Sequence, residues 1–164
     1  AAHEKILYER LMKQFHEKTY HSQMIMPPVI LTLSLREEQI LKENWKTFTA
    51  LGYEIEEFGG KEYKVTGLPA ELPTVIDCKQ LLIELIDTIA DESATHDPER
   101  ITEKVASMSC KAAVKGNNRL SFKEAEELMR ELMEAENPYN CPHGRPTLIK
   151  MTKYEIERKF KRIL

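Results

Sequence analysis

The chain has 164 residues, 41% hydrophobic and 31% charged, the composition of an ordinary folded domain long enough to bury a core without covalent staples. No apolar run approaches the ~20 residues of a membrane helix, no secretory leader pattern occurs, and the widely spaced Cys78, Cys110 and Cys141 make no disulfide framework, so a reducing, cytoplasmic setting is expected. Net charge is −3, yet from Arg145 to Leu164 seven basic residues stand against two acidic ones, a +5 segment that leaves −8 elsewhere. That segment reads either as a solvated helix face or as a phosphate-contacting patch of weak, salt-sensitive affinity.

In chain order, Ile6, Leu7, Leu11, Met12 and Phe15 recur at helical spacing and predict a helix over 2–19. Gln23 to Pro28 carries two prolines, so it can be neither helix interior nor central strand and is expected to be exposed and extended; Val29 to Leu33 then reads as a strand. A helix is predicted from Arg36 to Leu51, stopped by Gly52, followed by a hairpin whose strands flank Gly59-Gly60. Pro69 and Pro73 mark a loop. Cys78 to Asp91 is amphipathic, and Asp97-Pro98 reads as an N-cap and first residue of a helix reaching about Lys115. Ser121 with Glu124, and Thr152 with Glu155, form capping boxes for helices over 122–136 and after 152. Between them Thr147 to Met151 alternates as a short strand. The order predicts an α+β fold, with residues 35–104 inserted between 1–34 and 105–164.

The segment Cys141-Pro142-His143-Gly144-Arg145-Pro146 carries the most chemistry. Two residues separated by one in an extended loop project to the same side, so Cys141 and His143 can face one ion. A soft thiolate with an imidazole suits zinc. Two ligands alone do not make a site, and the bland reading is a stiff surface turn.

Further segments give the pair a context. Cys-Pro-His-Gly-Arg-Pro resembles the signature near the C-terminus of endonuclease-type MutL mismatch-repair proteins. Residues 1–9 are similar to the later part of that family's D-Q-H-A-x-x-E-x-x-x-x-E motif, Ser109-Cys110-Lys111 to its [AS]-C-[KR] element, and Phe160-Lys161-Arg162 to its final F-x-R. Four matches fall in family order across nearly the whole chain. The resemblance implies a two-lobed fold: a dimerisation subdomain from 1–34 and 105–164, and an external, regulatory subdomain over 35–104. By position, it implies Glu4, Cys141 and His143 as metal ligands. Cys110, Lys111 and Arg145 would stand beside Glu4 in the catalytic set, the two cations steering phosphate. For Cys110 the other reading is a buried apolar filler, and for Lys111 a solvated lysine.

Glu9 closes the first motif, but five residues turn a helix by about 140°, so it cannot share the face of Glu4 and is expected to be structural. The Asp, Gln and His that open the motif would immediately precede Ala1 and are not in this sequence. The expectation for the sequence as it stands is therefore an incomplete catalytic set.

Gln23-Met24-Ile25-Met26-Pro27-Pro28 resembles the family's sliding-clamp motif, Q-x-x-[LMI]-x-P, which implies clamp contacts through Gln23, Met26 and Pro28. As a whole, the resemblance implies a homodimer that nicks duplex DNA in mismatch repair. Its partners would be the clamp and a mismatch sensor of the MutS type, and its own hold on DNA would be weak and non-specific. Zinc would be structural or regulatory, and manganese or magnesium catalytic. No Gly-rich nucleotide loop occurs, so no ATP site is expected here. The rival reading is a catalytically incomplete dimerisation and partner-binding module with a residual zinc site.

Overall fold

The computed structural model describes residues 1–73, 77–92, 98–113 and 120–162. Ten elements follow one another: α1 (Ala2–Glu17), β1 (Ser22–Thr32), α2 (Leu35–Glu43), α3 (Trp45–Ala50), β2 (Glu54–Gly59), β3 (Glu62–Pro69), α4 (Cys78–Glu92), α5 (Pro98–Ala113), α6 (Phe122–Glu134) and α7 (Lys153–Lys159). The fold is a mixed α+β one. The expected cap at Asp97 and the helix end near Lys115 lie outside the described residues.

One antiparallel sheet runs β1-β3-β2, with β3 in the middle. Along β3, Tyr63 and Val65 point inward while Glu62 and Lys64 face out, the period-2 alternation of a half-buried strand. Lys64 pairs across the outer face with Glu56 at 2.6 Å. On the inner face, Leu31, Tyr63 and Val65 join Leu82, Leu85 and Ile86 of α4 and Val105 and Ala106 of α5, all 1% exposed or less. Burying each large aliphatic chain of this set contributes roughly 1.5–3 kcal/mol. Leu11 and Met12 of α1 belong to the same core. Strands and helices from 1–34 and from 35–104 thus share one sheet and one core.

Three local expectations are corrected. The helix foreseen over 36–51 is two helices broken at Asn44, which leaves helical dihedrals (φ −106°, ψ 14°) and whose backbone N–H and side-chain amide both donate to the Ile40 carbonyl, at 3.1 and 2.9 Å. Gly52 then closes α3 at φ 93°, where an added Cβ would lie 2.7 Å from the His21 carbonyl oxygen. The prolines of 23–28 sit inside β1 rather than before it. The strand accommodates them because it is an edge and because its pairing with β3 slips between Met24 and Val29, leaving residues 25–28 opposite Thr66 alone. Finally, 147–151 is no strand. Only an isolated bridge, Asn140 to Pro146, forms there, because Pro146 has no N–H and no second strand lies alongside; Ile149 stays 78% exposed.

Candidate metal centre

Glu4 lies in the first turn of α1, where the helix dipole favours a carboxylate, and it is buried. Cys141 and His143 come from a tight turn rather than the extended loop foreseen. The Gly144 N–H donates to the Cys141 carbonyl and the Cys141 N–H to the Arg145 carbonyl, both at 2.9 Å. Pro142 presets the second turn position, and Gly144 takes φ 74°, which costs glycine little. The turn aims the Cys141 thiol and the His143 ring at α1, so that ligand atoms of Glu4, Cys141 and His143 all lie within 4.8 Å of one another. His143 Nδ1 is 2.5 Å from Glu4 Oε1, and its Nε2 is 3.1 Å from Ser107 Oγ on α5.

Two clasps hold this arrangement. Glu9, one turn beyond Glu4, accepts from the backbone N–H groups of Glu136 (2.9 Å) and Asn137 (3.3 Å) and pairs with Lys5 at 2.7 Å. Burial raises the Glu9 carboxyl, but the hydrogen bonds from Lys5, Glu136 and Asn137 outweigh it and hold the group below the usual carboxylate range. Glu9 therefore ties α1 to the segment leading into the Cys141 turn. On the other side, Ser109 meets the Tyr53 hydroxyl at 2.5 Å and the Val105 carbonyl at 2.6 Å, which fixes the rotation of α5 against the core.

Cys110 is fully buried, and burial, with Glu4 and Glu71 adding, pushes its thiol far above the ordinary value. It stands as a neutral thiol and is not among the three grouped ligands. Lys111, in the last turn of α5, and Arg145 are both exposed. Reading the sequence did not single out Ser107, Tyr8, Arg100 or Lys104, which line a groove of about 440 Å³ with Pro142 and His143. Arg100, Lys104 and Ser107 recur at helical spacing, a signal that they share a face of α5, but nothing in the sequence says that this face meets the Cys141 turn. Burial, with Glu103, Cys110 and Glu9 adding, pushes the Tyr8 phenol up to about 12, so it stays a neutral donor.

Residues 1–120 match the family model of the MutL C terminal dimerisation domain. The chain belongs to that family. It is 52% identical over its whole length to the DNA mismatch repair protein MutL of Agathobacter rectalis, covering 25% of that protein. It is 36% identical over its whole length to the MutL of Clostridium beijerinckii, covering 24% of it. The MutL of Caldanaerobacter subterraneus shares 37% identity over 99% of the chain and 27% of that protein. The chain thus spans about a quarter of the length of the MutL proteins it matches. No described helix is long and apolar enough to cross a membrane.

Proposed function

We propose that this chain is the dimerisation and metal-dependent endonuclease part of a MutL protein, acting to nick duplex DNA during mismatch repair. The observation that carries the reading is the convergence of Glu4, Cys141 and His143, drawn from opposite ends of the chain to within 4.8 Å. A carboxylate, a thiolate and an imidazole are a three-ligand set suited to zinc with one position left for water or substrate. A divalent metal held there, with manganese or magnesium as the catalytic ion, would supply Lewis-acid stabilisation and a low-pKa water. The chain's own part is to bind and orient. Arg145, with its planar fork, and Lys111 are proposed to meet phosphate, and the basic 145–162 stretch to add sequence-independent attraction. No base-reading motif occurs, so targeting falls to partners, for which a MutS-type sensor and the replication clamp are proposed.

The proposed clamp segment Gln23–Pro28 takes in the β1 bulge, which covers residues 25–28. Met24 and Met26 are 76% and 78% exposed, which supports a docking role, whereas Gln23 spends its amide inside the chain on the Pro69 carbonyl (3.0 Å) and the Leu72 carbonyl. For the dimer, α1 uses its apolar face internally, but α6 leaves Phe122, Met129 and Met133 exposed. These support an isologous contact through the 105–164 part, with 35–104 as the external lobe. The exposed surfaces equally favour the second reading, a dimerisation and partner-binding module with a zinc site and no nicking.

Zinc and manganese stoichiometry, combined with nicking of supercoiled plasmid by the parent, Glu4→Gln and Cys141→Ala, separates the two. Metal-dependent nicking lost in both variants supports the endonuclease. Metal binding without nicking, both by the parent and by the chain with Asp-Gln-His restored before Ala1, leaves the module. Phe122→Asp with Met133→Asp should convert the dimer to monomer by sedimentation, while an unchanged dimer would move the interface elsewhere.

A further inference from the structure

Ser107 sits on α5, with its hydroxyl on the far side of the His143 ring from Glu4. The imidazole is thereby held at both nitrogens, Nδ1 by Glu4 Oε1 at 2.5 Å and Nε2 by Ser107 Oγ at 3.1 Å. A carboxylate can only accept, so the hydrogen between Glu4 and the ring sits on Nδ1, and a neutral ring then accepts at Nε2 from the Ser107 hydroxyl. Of the two ring nitrogens, Nδ1 is the one beside a carboxylate oxygen of the candidate cluster. For it to bind a metal ion its lone pair must be free. The ring hydrogen then resides on Nε2: one proton leaves Nδ1 to solvent and one is taken up at Nε2, with no net change. In that form Nε2 donates, and whatever faces it must accept.

We propose that Ser107 is a positioning residue of the metal centre, a hydroxyl that turns from donor to acceptor and fixes His143 as an Nδ1 ligand. The inference rests on the metal reading above. The chemistry singles out a hydroxyl. Lys104 and Arg100, which line the same groove, only donate and would oppose the metal-bound tautomer. A carboxylate only accepts and would favour it, but could not hold the ring in the metal-free arrangement seen here. Ser107 can serve both because its O–H rotates at little cost, and α5 is fixed in rotation by the neighbouring Ser109–Tyr53 bond. Metal-ligating histidines that lose such an orienting partner bind their metal about 10–100-fold more weakly.

The test uses Zn²⁺ alone, titrated into the full chain against a competing chelator at fixed pH, and Co²⁺ alone, whose visible spectrum reports thiolate ligation and site geometry. Ser107→Ala should weaken Zn²⁺ binding by 10–100-fold and broaden the Co²⁺ bands, while the metal-free unfolding midpoint stays at the parent value. Ser107→Thr, which keeps the hydroxyl, should restore the affinity. Glu103→Gln, in the same groove, should leave it unchanged. Ring ¹⁵N shifts of the Zn²⁺-loaded parent should show Nδ1 metal-bound and Nε2 carrying hydrogen. If the parent binds Zn²⁺ and Ser107→Ala binds it equally well, or if Nε2 is the ligating nitrogen, the inference is overturned and the metal reading stands. Glu103→Gln weakening the site as much as Ser107→Ala would also overturn it, by making the groove's charge the cause. A parent that binds neither ion overturns the metal reading and this inference together.

Discussion

Glu4 and His143 come from opposite ends of the chain and meet at 2.5 Å, while Gln23 to Pro28 are neighbours in sequence, of which the sheet pairs only Gln23 and Met24. In the first region Glu4 and Cys141 are buried and His143 is exposed, with Glu9 bonded to the 136–137 backbone on one side and Ser107 to the ring on the other. The second is an apolar bulge on an edge strand, with methionines in solvent. A long-range site of this kind depends on the fold for its geometry, so small changes at its supports should reach it. A contiguous segment carries its recognition pattern in the chain itself, and its failure modes are local.

The largest effect expected from this contrast is at the cluster. Cys141→Ala removes one of the three proposed ligands outright and should weaken Zn²⁺ binding by more than the roughly 100-fold that loss of an orienting partner costs, read by chelator competition. Retained affinity would mean that the three groups do not form one site.

Next comes Glu9. Its carboxylate accepts two backbone donors and an ammonium, and charged hydrogen bonds are each worth about 1.5–3 kcal/mol, so Glu9→Ala should destabilise by about 2–3 kcal/mol in urea unfolding. The sign of its pH dependence follows from the lowered carboxyl. Its contribution is complete above the unfolded-state value of ~4.3. It is lost as pH falls through the lower value of the folded state. Below about pH 4 the parent should therefore lose stability faster than Glu9→Gln. Parallel acid profiles would show that the clasp carries no weight.

The bulge should respond on a smaller scale. Gln23→Ala loses hydrogen bonds to the carbonyls of Pro69 and Leu72 and should cost about 1 kcal/mol, so any weakening of clamp binding by this change mixes recognition with local loosening. Met26→Ala touches an exposed side chain and should stay within about 0.5 kcal/mol of the parent in stability while still weakening binding to the clamp, measured by surface-immobilised titration. Equal clamp affinity in Met26→Ala would remove the segment from the interface.

Much of the fold was legible because its cues are local. The capping boxes at Ser121 and Thr152 and the turn at Gly59-Gly60 each declare themselves within four residues. Asn44 was not legible, since an asparagine can sit inside a helix or cap its end with its side-chain amide, as it does here on the Ile40 carbonyl, and sequence does not say which. The 147–151 alternation misled because a strand requires a partner that the pattern cannot supply. At the candidate site, ligand chemistry at Cys141 and His143 could be read from spacing, and Glu4 only through the ordered family motifs. Ser107 could not be read at all. A serine on a helix is unremarkable until a loop from another part of the chain is laid against it.

The bulge in β1 has a bearing on solubility. An open sheet edge presents a row of backbone donors and acceptors to which a strand from another molecule can add, and Val29, Ile30 and Leu31 supply an apolar stretch beside it. Pro27 and Pro28 have no N–H to offer a further strand, and the slip in pairing interrupts the regular row at residues 25–28. An edge interrupted in this way is a poor template for a strand from another copy of the chain.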